Sequence, residues 1–347
     1  MLCRYLHRDR IVIFSLHGLC PVGVCSKWRP LRPQHQPEKF EQMLRSLLCR
    51  HDFTTMDEAI EILAGRKTGK PNMAVLTFDD GYRNNITYGL PILKKLNIPP
   101  TIYVSSGHVI SQKPFWFDRL DYVLQQLSER GTEITIAGRS FTIDASNREQ
   151  LGRLFRVIRE ELKSKFTDDL AMNEEANRVA AILEDMSGKK LGEFCGEDPW
   201  SAILTAEEIS EAANTQGTGF GGHTVDHIRL SRVDEDTVNK ELHDNKNDLE
   251  RWTDKPVQHF AYPDGSHNQA VERAVERCGY RSAVTSDPGF NGIGCNLYQL
   301  KRLHMPFDAS AAEMLAIASG LSAWLEACTK SVRGLIRRVF PGSTTRS

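Results

Sequence analysis

Two pairs of residues in this chain have the types and spacing to do chemistry. One is the adjacent aspartates of Thr77, Phe78, Asp79, Asp80, Gly81; the other is the histidines that open and close His223, Thr224, Val225, Asp226, His227. The aspartates follow the apolar run Met73 to Leu76 and precede a glycine that permits a sharp turn, which places them at a strand end. Two neighbouring carboxylates repel each other unless a cation stands nearby. Histidines four apart on a helical or turn-like segment present both imidazoles to one side, where they can share one ion. Two histidines and one aspartate leave a coordination position open for water. Taken singly, the histidines read as ordinary surface or core residues and the aspartates as a turn and cap. Together they describe a metal site beside a carboxylate base. A glutamate directly after the first histidine would make a zinc-protease motif, but position 224 is threonine, so the base must come from elsewhere and Asp79 is available.

The elements that position these residues follow a βα rhythm. Ile11 to Leu16 reads as a buried strand, Pro37 to Leu48 as a helix, Phe53 to Met56 as a short strand, and Asp57 to Ala64 as a helix led by an aspartate cap. Met73 to Thr77 is the next strand, Ile86 to Leu96 a helix interrupted near Gly89 and Pro91, and Thr101 to Val104 the strand after it. Such units imply a parallel sheet or barrel. The rhythm breaks over about residues 112–202, which reads as an insertion. It holds a helix at Asp118 to Ser128, a hairpin of Glu133 to Ile136 with Ser140 to Ile143, and charged helices with periodic Leu154, Val157, Ile158 and Leu162. This portion should lie over the barrel as a partly solvated cover, either a substrate lid or a decorative insert.

Thr205 to Glu208 forms a capping box, and the rhythm resumes. Gly217 to Gly222 is a glycine-rich strand that delivers His223 at its end, where barrel enzymes place their chemistry. A helix over about Asp234 to Trp252 follows, then a strand His259 to Tyr262 ending at Pro263, Asp264, Gly265. A helix near Asn268 to Arg277 comes next, with strands at Ser282 to Thr285 and Tyr298 to Leu303.

Composition bounds the rest. A chain of 347 residues suits one large α/β domain with an insertion, and 40% hydrophobic with 26% charged residues suits a soluble globular protein with a sizeable core. The formal net charge of −1 and a pI near 6.8 give no general attraction to nucleic acid or anionic lipid. Eight cysteines without a Cys-x-x-Cys pair read as reduced thiols in a cytosol. The run Ile11 to Leu16 is too short for a signal segment or membrane span, so a cytoplasmic location is expected.

The ordered set of Thr77 to Gly81 with Tyr82, His223 to His227, and Tyr262, Pro263, Asp264, Gly265 resembles the motifs of the polysaccharide deacetylase family, also called carbohydrate esterase family 4. Ile11 to His17 resembles that family's opening strand, and Leu204 to Ile209 its lead-in helix. The resemblance runs from about Ile11 to Gly320, poorly matched in the insertion. It implies an incomplete (β/α)7 barrel over residues 1–320 that removes N-acetyl or O-acetyl groups from a sugar or glycan with a divalent metal. Zinc is the first choice of metal, and cobalt, nickel and manganese also suit the ligands.

By position in the motif, Asp79 is the base, and Asp80, His223 and His227 hold the metal. The Tyr262, Pro263, Asp264 turn is expected to face the substrate, with the Asp264 N–H as oxyanion donor. His304 is the candidate general acid, with His17 and His267 as rivals. Trp116 and Phe117 are candidates for stacking on a sugar ring. Two features depart from the pattern. Ala261 stands where many members carry an arginine that orients the base, and Asp264 stands where an aromatic is usual. Phe260 to Gly265 resembles a subset of the family that acts in exopolysaccharide or surface-glycan synthesis and also lacks the arginine. These departures keep open a glycan-binding protein without chemistry, and a hydrolase of another amide or ester.

The stretch Leu321 to Val339 reads as a basic amphipathic helix that docks on the barrel or makes peripheral contact with a membrane, followed by a disordered tail from Pro341 to Ser347.

Overall fold

A computed structural model describes residues 9–24, 28–32, 34–127, 131–143, 147–215 and 217–321. The expected C-terminal helix and tail lie outside the described residues, apart from Leu321. Up to the insertion the elements are β1 (Val12–Leu16), α1 (Pro37–Leu48), β2 (Asp52–Phe53), α2 (Met56–Leu63), β3 (Met73–Phe78), α3 (Leu90–Leu96), β4 (Pro100–Val104) and α4 (Ser106–Ser111). The insertion contributes α5 (Trp116–Leu127), β5 (Thr132–Ile136), β6 (Arg139–Ile143), α6 (Arg148–Lys165) and α7 (Asp169–Ser187). The chain then continues through α8 (Ala206–Ala213), β7 (Gly219–Gly222), α9 (Glu235–Thr253), β8 (His259–Ala261), α10 (Gln269–Arg277), β9 (Ser282–Pro288), β10 (Leu300–His304) and α11 (Ala311–Ala318).

Seven parallel strands pair in the order β1, β10, β9, β8, β7, β4, β3, and β3 pairs back onto β1 to close the ring. This is the expected (β/α)7 barrel, one strand short of the eight-stranded form. The two residues of β2 add to the start of β3. Strands β1 and β3 are buried along their whole length, as in a parallel sheet covered on both faces. Their side chains alternate. Ile11 and Ile13, with Met73 and Val75, enter one cluster with Tyr103, Ala261, Val284 and Leu300 inside the barrel, closed off by Met56 and Ile60 of α2. Val12, Phe14 and Leu16, with Ala74, Leu76 and Phe78, face the helical layer.

Several local readings shift. The cap of α2 is Thr55, whose hydroxyl accepts from the Glu58 N–H, and not Asp57. A capping residue must be extended and precede the helix, as Thr55 is; Asp57 lies in the first turn and accepts from His259 Nε2 at 3.0 Å. The helix expected from Ile86 begins as a wide π turn at Asn85–Gly89 before α3, which accommodates Pro91 in its first turn. The hairpin turn is the two residues Ala137 and Gly138, both at positive φ, and Arg139 belongs to β6.

Residues of α5, α6 and α7 pack on the barrel and also border the cavity at its mouth. Helices α5, α6 and α7 bury Leu120, Leu124, Phe155, Ile158, Val179 and Leu183 in one core with the outer face of the barrel. The insertion is also latched: Arg229 bonds the Asp169 carboxylate and donates to Lys163 O at 3.2 and 3.3 Å, and Lys163 Nζ lies 2.6 Å from Asp264.

Candidate active site and metal centre

The alternation inside the barrel decides what reaches its mouth. Met73 and Val75 point inward on β3, so the same face continues through Thr77 to Asp79 beyond the strand. On β10 the inward series is Leu300, Arg302, His304, and on β1 it ends with Ser15 and His17. The register pairs Ser15 with both Thr77 and His304, which puts these levels together at the C-terminal rim. They open into a cavity of about 1240 Å³ whose wall includes Asp79, Asp80, His223 and His227.

Asp80 takes φ of +77° and Gly81 +84°, so the chain reverses as soon as it leaves β3, and Asp80 turns toward the histidines while Asp79 keeps the inward direction. His223 Nε2 and His227 Nε2 stand 3.5 and 3.3 Å from Asp80 Oδ1. The ligand atoms of the three residues all lie within 4.8 Å of one another. The segment between the histidines is a turn, with Thr224 and His227 at positive φ, and not a helix. Asp80 Oδ1 is buried and makes no hydrogen bond, an expensive state for a carboxylate oxygen unless an ion occupies the space between it and the imidazoles. His223 Nδ1 lies 2.7 Å from Ala261 O; with its proton on that nitrogen, its Nε2 lone pair faces Asp80. The donor set, two imidazoles and one carboxylate, suits a divalent ion of the zinc type. Burial works to raise the Asp80 pKa, but the imidazoles of His17, His223 and His227 hold it well below the usual range. Burial likewise works to lower that of His223, and the two aspartates raise it.

Asp79 is not without an arginine, contrary to the expectation drawn from Ala261. Arg302 of β10 approaches it with a two-pronged contact, Nη1 to Oδ1 at 2.7 Å and Nη2 to Oδ2 at 2.8 Å, while its Nε donates to Thr285 O. Ala261 on β8 is packed in the barrel interior, and the guanidinium enters from β10 instead. Burial would raise the Asp79 pKa, but the Arg302 charge and hydrogen bonds outweigh it and hold the carboxyl below its ordinary value.

The other expected residues divide. His304 keeps an accessible ring at the cavity rim, 6.0 Å from the His17 ring and 6.4 Å from that of His35. Desolvation there, with the charges of His17 and His35, holds it down to about 4. His17 also lines the cavity and is lowered, by burial first. His267 stacks edge-on against Tyr262 and does not border the cavity. Tyr262 reaches the cavity wall, but its hydroxyl donates to Tyr298 O. Pro263 is buried in the turn and does not line the cavity, whereas Asp264 does, with φ of +54° and its carboxylate on Lys163. Trp116 and Phe117 are buried and border the cavity from the insertion.

Sequence reading missed two supports besides Arg302. Asn245, fully buried on α9, accepts from His223 N at 3.1 Å and donates to Val104 O and Thr224 O at 3.0 and 2.7 Å. Glu241, one turn earlier, accepts from the Val225 and Asp226 amides, and burial pushes it up to about 7. Their spacing on one helical face beneath the histidine turn is the only local signal.

Known proteins with the same architecture are readily found. PplD of Streptococcus pyogenes, a deacetylase solved with acetate, superposes with a TM-score of 0.57 at 18% identity, over 89% of this chain and 98% of that one. IcaB of Ammonifex degensii gives 0.57 at 17%, over 90% and 98%. In sequence, the Bacillus subtilis chain YxkH, assigned by name to the polysaccharide deacetylases, is 28% identical over 102 residues, covering 29% of this chain and 36% of YxkH, so the aligned part is about a third of that relative. The profile of the polysaccharide deacetylase family matches residues 66–196 and 168–283, more than half of the chain and the range that holds both aspartates, both histidines and the 262–265 turn. The chain belongs to the polysaccharide deacetylase family.

Proposed function

We propose that this chain is a metal-dependent hydrolase that removes acetyl groups, N-acetyl in the first place, from a carbohydrate. The observation that carries the reading is Asp80 Oδ1, buried without a hydrogen bond between His223 and His227, beside an Asp79 gripped by Arg302. Asp80, His223 and His227 would hold the ion. A divalent ion bound there supplies Lewis acidity, which activates water and polarises the acetyl carbonyl. Asp79 stays ionised at neutral pH, and one of its oxygens takes the proton of the attacking water. Arg302 fixes the orientation of that carboxylate through both of its oxygens. The Asp264 amide is the candidate donor to the developing oxyanion. His304 is the candidate donor of a proton to the departing nitrogen, and burial with the charges of His17 and His35 makes it a poor resident acid.

The domain reading that goes with this is one barrel unit over residues 1–320, with residues 112–202 as a cover over the site. Phe260 to Gly265 resembles the subset of the family that acts on exopolysaccharide or surface glycans, and we assign the substrate to that class. No helix among the described residues is long and apolar enough to cross a membrane. The Arg302 contact weighs against a binding protein without chemistry, since it supplies the orienting group that Ala261 lacks.

Asp79→Asn should keep bound metal and lose acetate release, while His223→Ala should lose both; chelation should abolish release and added zinc restore it. Full activity in Asp79→Asn sinks the proposal.

A further inference from the structure

The cavity holds more positive charge than deacetylation of a neutral sugar requires. Helix α6 turns one face to it, with Arg148, Arg156, Arg159 and Lys163 along that face. The acids on the same wall are committed: Asp264 to Lys163, Glu149 to Arg153, and Asp169 to Arg229. Arg159 has no ion pair or hydrogen-bond acceptor among the described residues, and its Nε is buried. Its guanidinium lies over the rings of Phe117 and Phe155, at 5.6 and 5.4 Å from their centres. Arg32 lies over the same Phe117 ring at 4.6 Å. Its Nη2 donates to Tyr82 Oη and Asp118, but its Nε is also buried without an acceptor.

Two guanidiniums against one aromatic ring repel, and burial followed by the Arg32 charge lowers the pKa of Arg159. Each buried N–H without an acceptor adds a desolvation cost. An anion placed between them removes both penalties. A single carboxylate is satisfied by one arginine fork, whereas the unpaired Arg159 guanidinium and the Arg32 Nε, with Arg148 and Arg156 exposed among the cavity residues, match the several oxygens of a phosphoryl group. The Phe117 ring centre is also 5.6 Å from that of His227. Phe117 thus neighbours both a candidate metal ligand and the two arginines, so a substrate with its acetyl group at the metal ligands can carry a substituent toward them.

We propose that Arg32 and Arg159 form a phosphoryl subsite, and that the substrate is a phosphorylated or phosphate-linked acetylated sugar. The substrate assignment rests on the deacetylase reading; the subsite does not. Calorimetric titration of the full, metal-loaded chain with inorganic pyrophosphate and with N-acetylglucosamine 1-phosphate tests it, because any contact of phosphate with the ion is common to wild type and variant. Arg159→Gln should weaken both ligands by roughly tenfold or more. Arg159→Lys, which keeps the charge and the packing stem, should fall between the two and guards against a folding defect. The nucleotide-linked and short-chain polyprenyl pyrophosphate forms of the same sugar identify the source by which binds tighter. The subsite is overturned if neither phosphate binds the wild type, if both variants bind as the wild type does, or if a carboxylated acetyl sugar binds tighter than the phosphates. Loss of phosphate affinity in Arg159→Gln alongside full acetate release by Asp79→Asn would leave the subsite standing and remove the deacetylase reading.

Discussion

Arg302 and Asp79, 223 residues apart in the chain, meet through two parallel hydrogen bonds in the mouth of the barrel, with both side chains almost wholly buried. A fork of this kind fixes the carboxylate plane as well as its charge. Lysine can match the charge but not the fork. Arg302→Lys should therefore lower acetate release by about 100-fold with metal content unchanged. Arg302→Met strands Asp79 as a buried carboxylate and should also cost roughly 3–5 kcal/mol of stability, read from the urea midpoint. Wild-type turnover in Arg302→Met would remove Arg302 from the site.

The glycines of β7 explain why His223 can sit where it does. An added Cβ on Gly222 would come 2.3 Å from Tyr280 Oη and 2.7 Å from Asn245 Oδ1, the atom that accepts from the His223 amide. Gly222→Ala should displace Asn245 and the histidine turn together, costing about 1–3 kcal/mol from overpacking. Metal affinity should fall by about 10- to 100-fold, the usual penalty for disturbing the groups behind a ligand. Metal titration monitored by calorimetry checks it, and unchanged affinity would mean that Asn245 does not position His223.

The barrel rhythm, the three residues of the candidate metal centre and the neighbouring Asp79 were legible because all depend on local pattern: apolar runs of strand length, glycine at turns, and carboxylates or imidazoles at strand ends. Arg302 was not, since its partner lies on a distant strand, although His304 two residues later shares its parity and points back to it. Asn245 and Glu241 looked like ordinary polar positions of a charged helix; only the packing of α9 under β7 shows that they are buried. The same limit applies to Arg32 and Arg159, which come from separate segments and meet on a phenylalanine of a third. Between the histidines the sequence left helix and turn open, because a spacing of four fits a helix as well as the left-handed turn that Thr224 and His227 adopt.

His35 offers a test of the electrostatics outside the metal site. It is 4% exposed, its Nε2 lies 3.0 Å from Met305 O, and burial lowers its pKa to about 4, with the His17 charge adding to the effect. The unfolded chain therefore binds more protons than the folded one between about pH 6.5 and 4. Stability from this group rises with pH across that window and is lost on acidification, by up to about 1.4 kcal/mol per pH unit. Asp121 and Glu241, each pushed up to about 7 by burial, act in the opposite sense over much of the same range, so the wild-type profile alone is flattened. The informative quantity is the stability difference between wild type and His35→Gln, whose amide can still donate to Met305 O but does not titrate. Urea midpoints at pH 7.5 and pH 5 should show His35→Gln gaining relative to wild type at the lower pH. An identical difference at both values would mean that His35 is not held neutral by the fold.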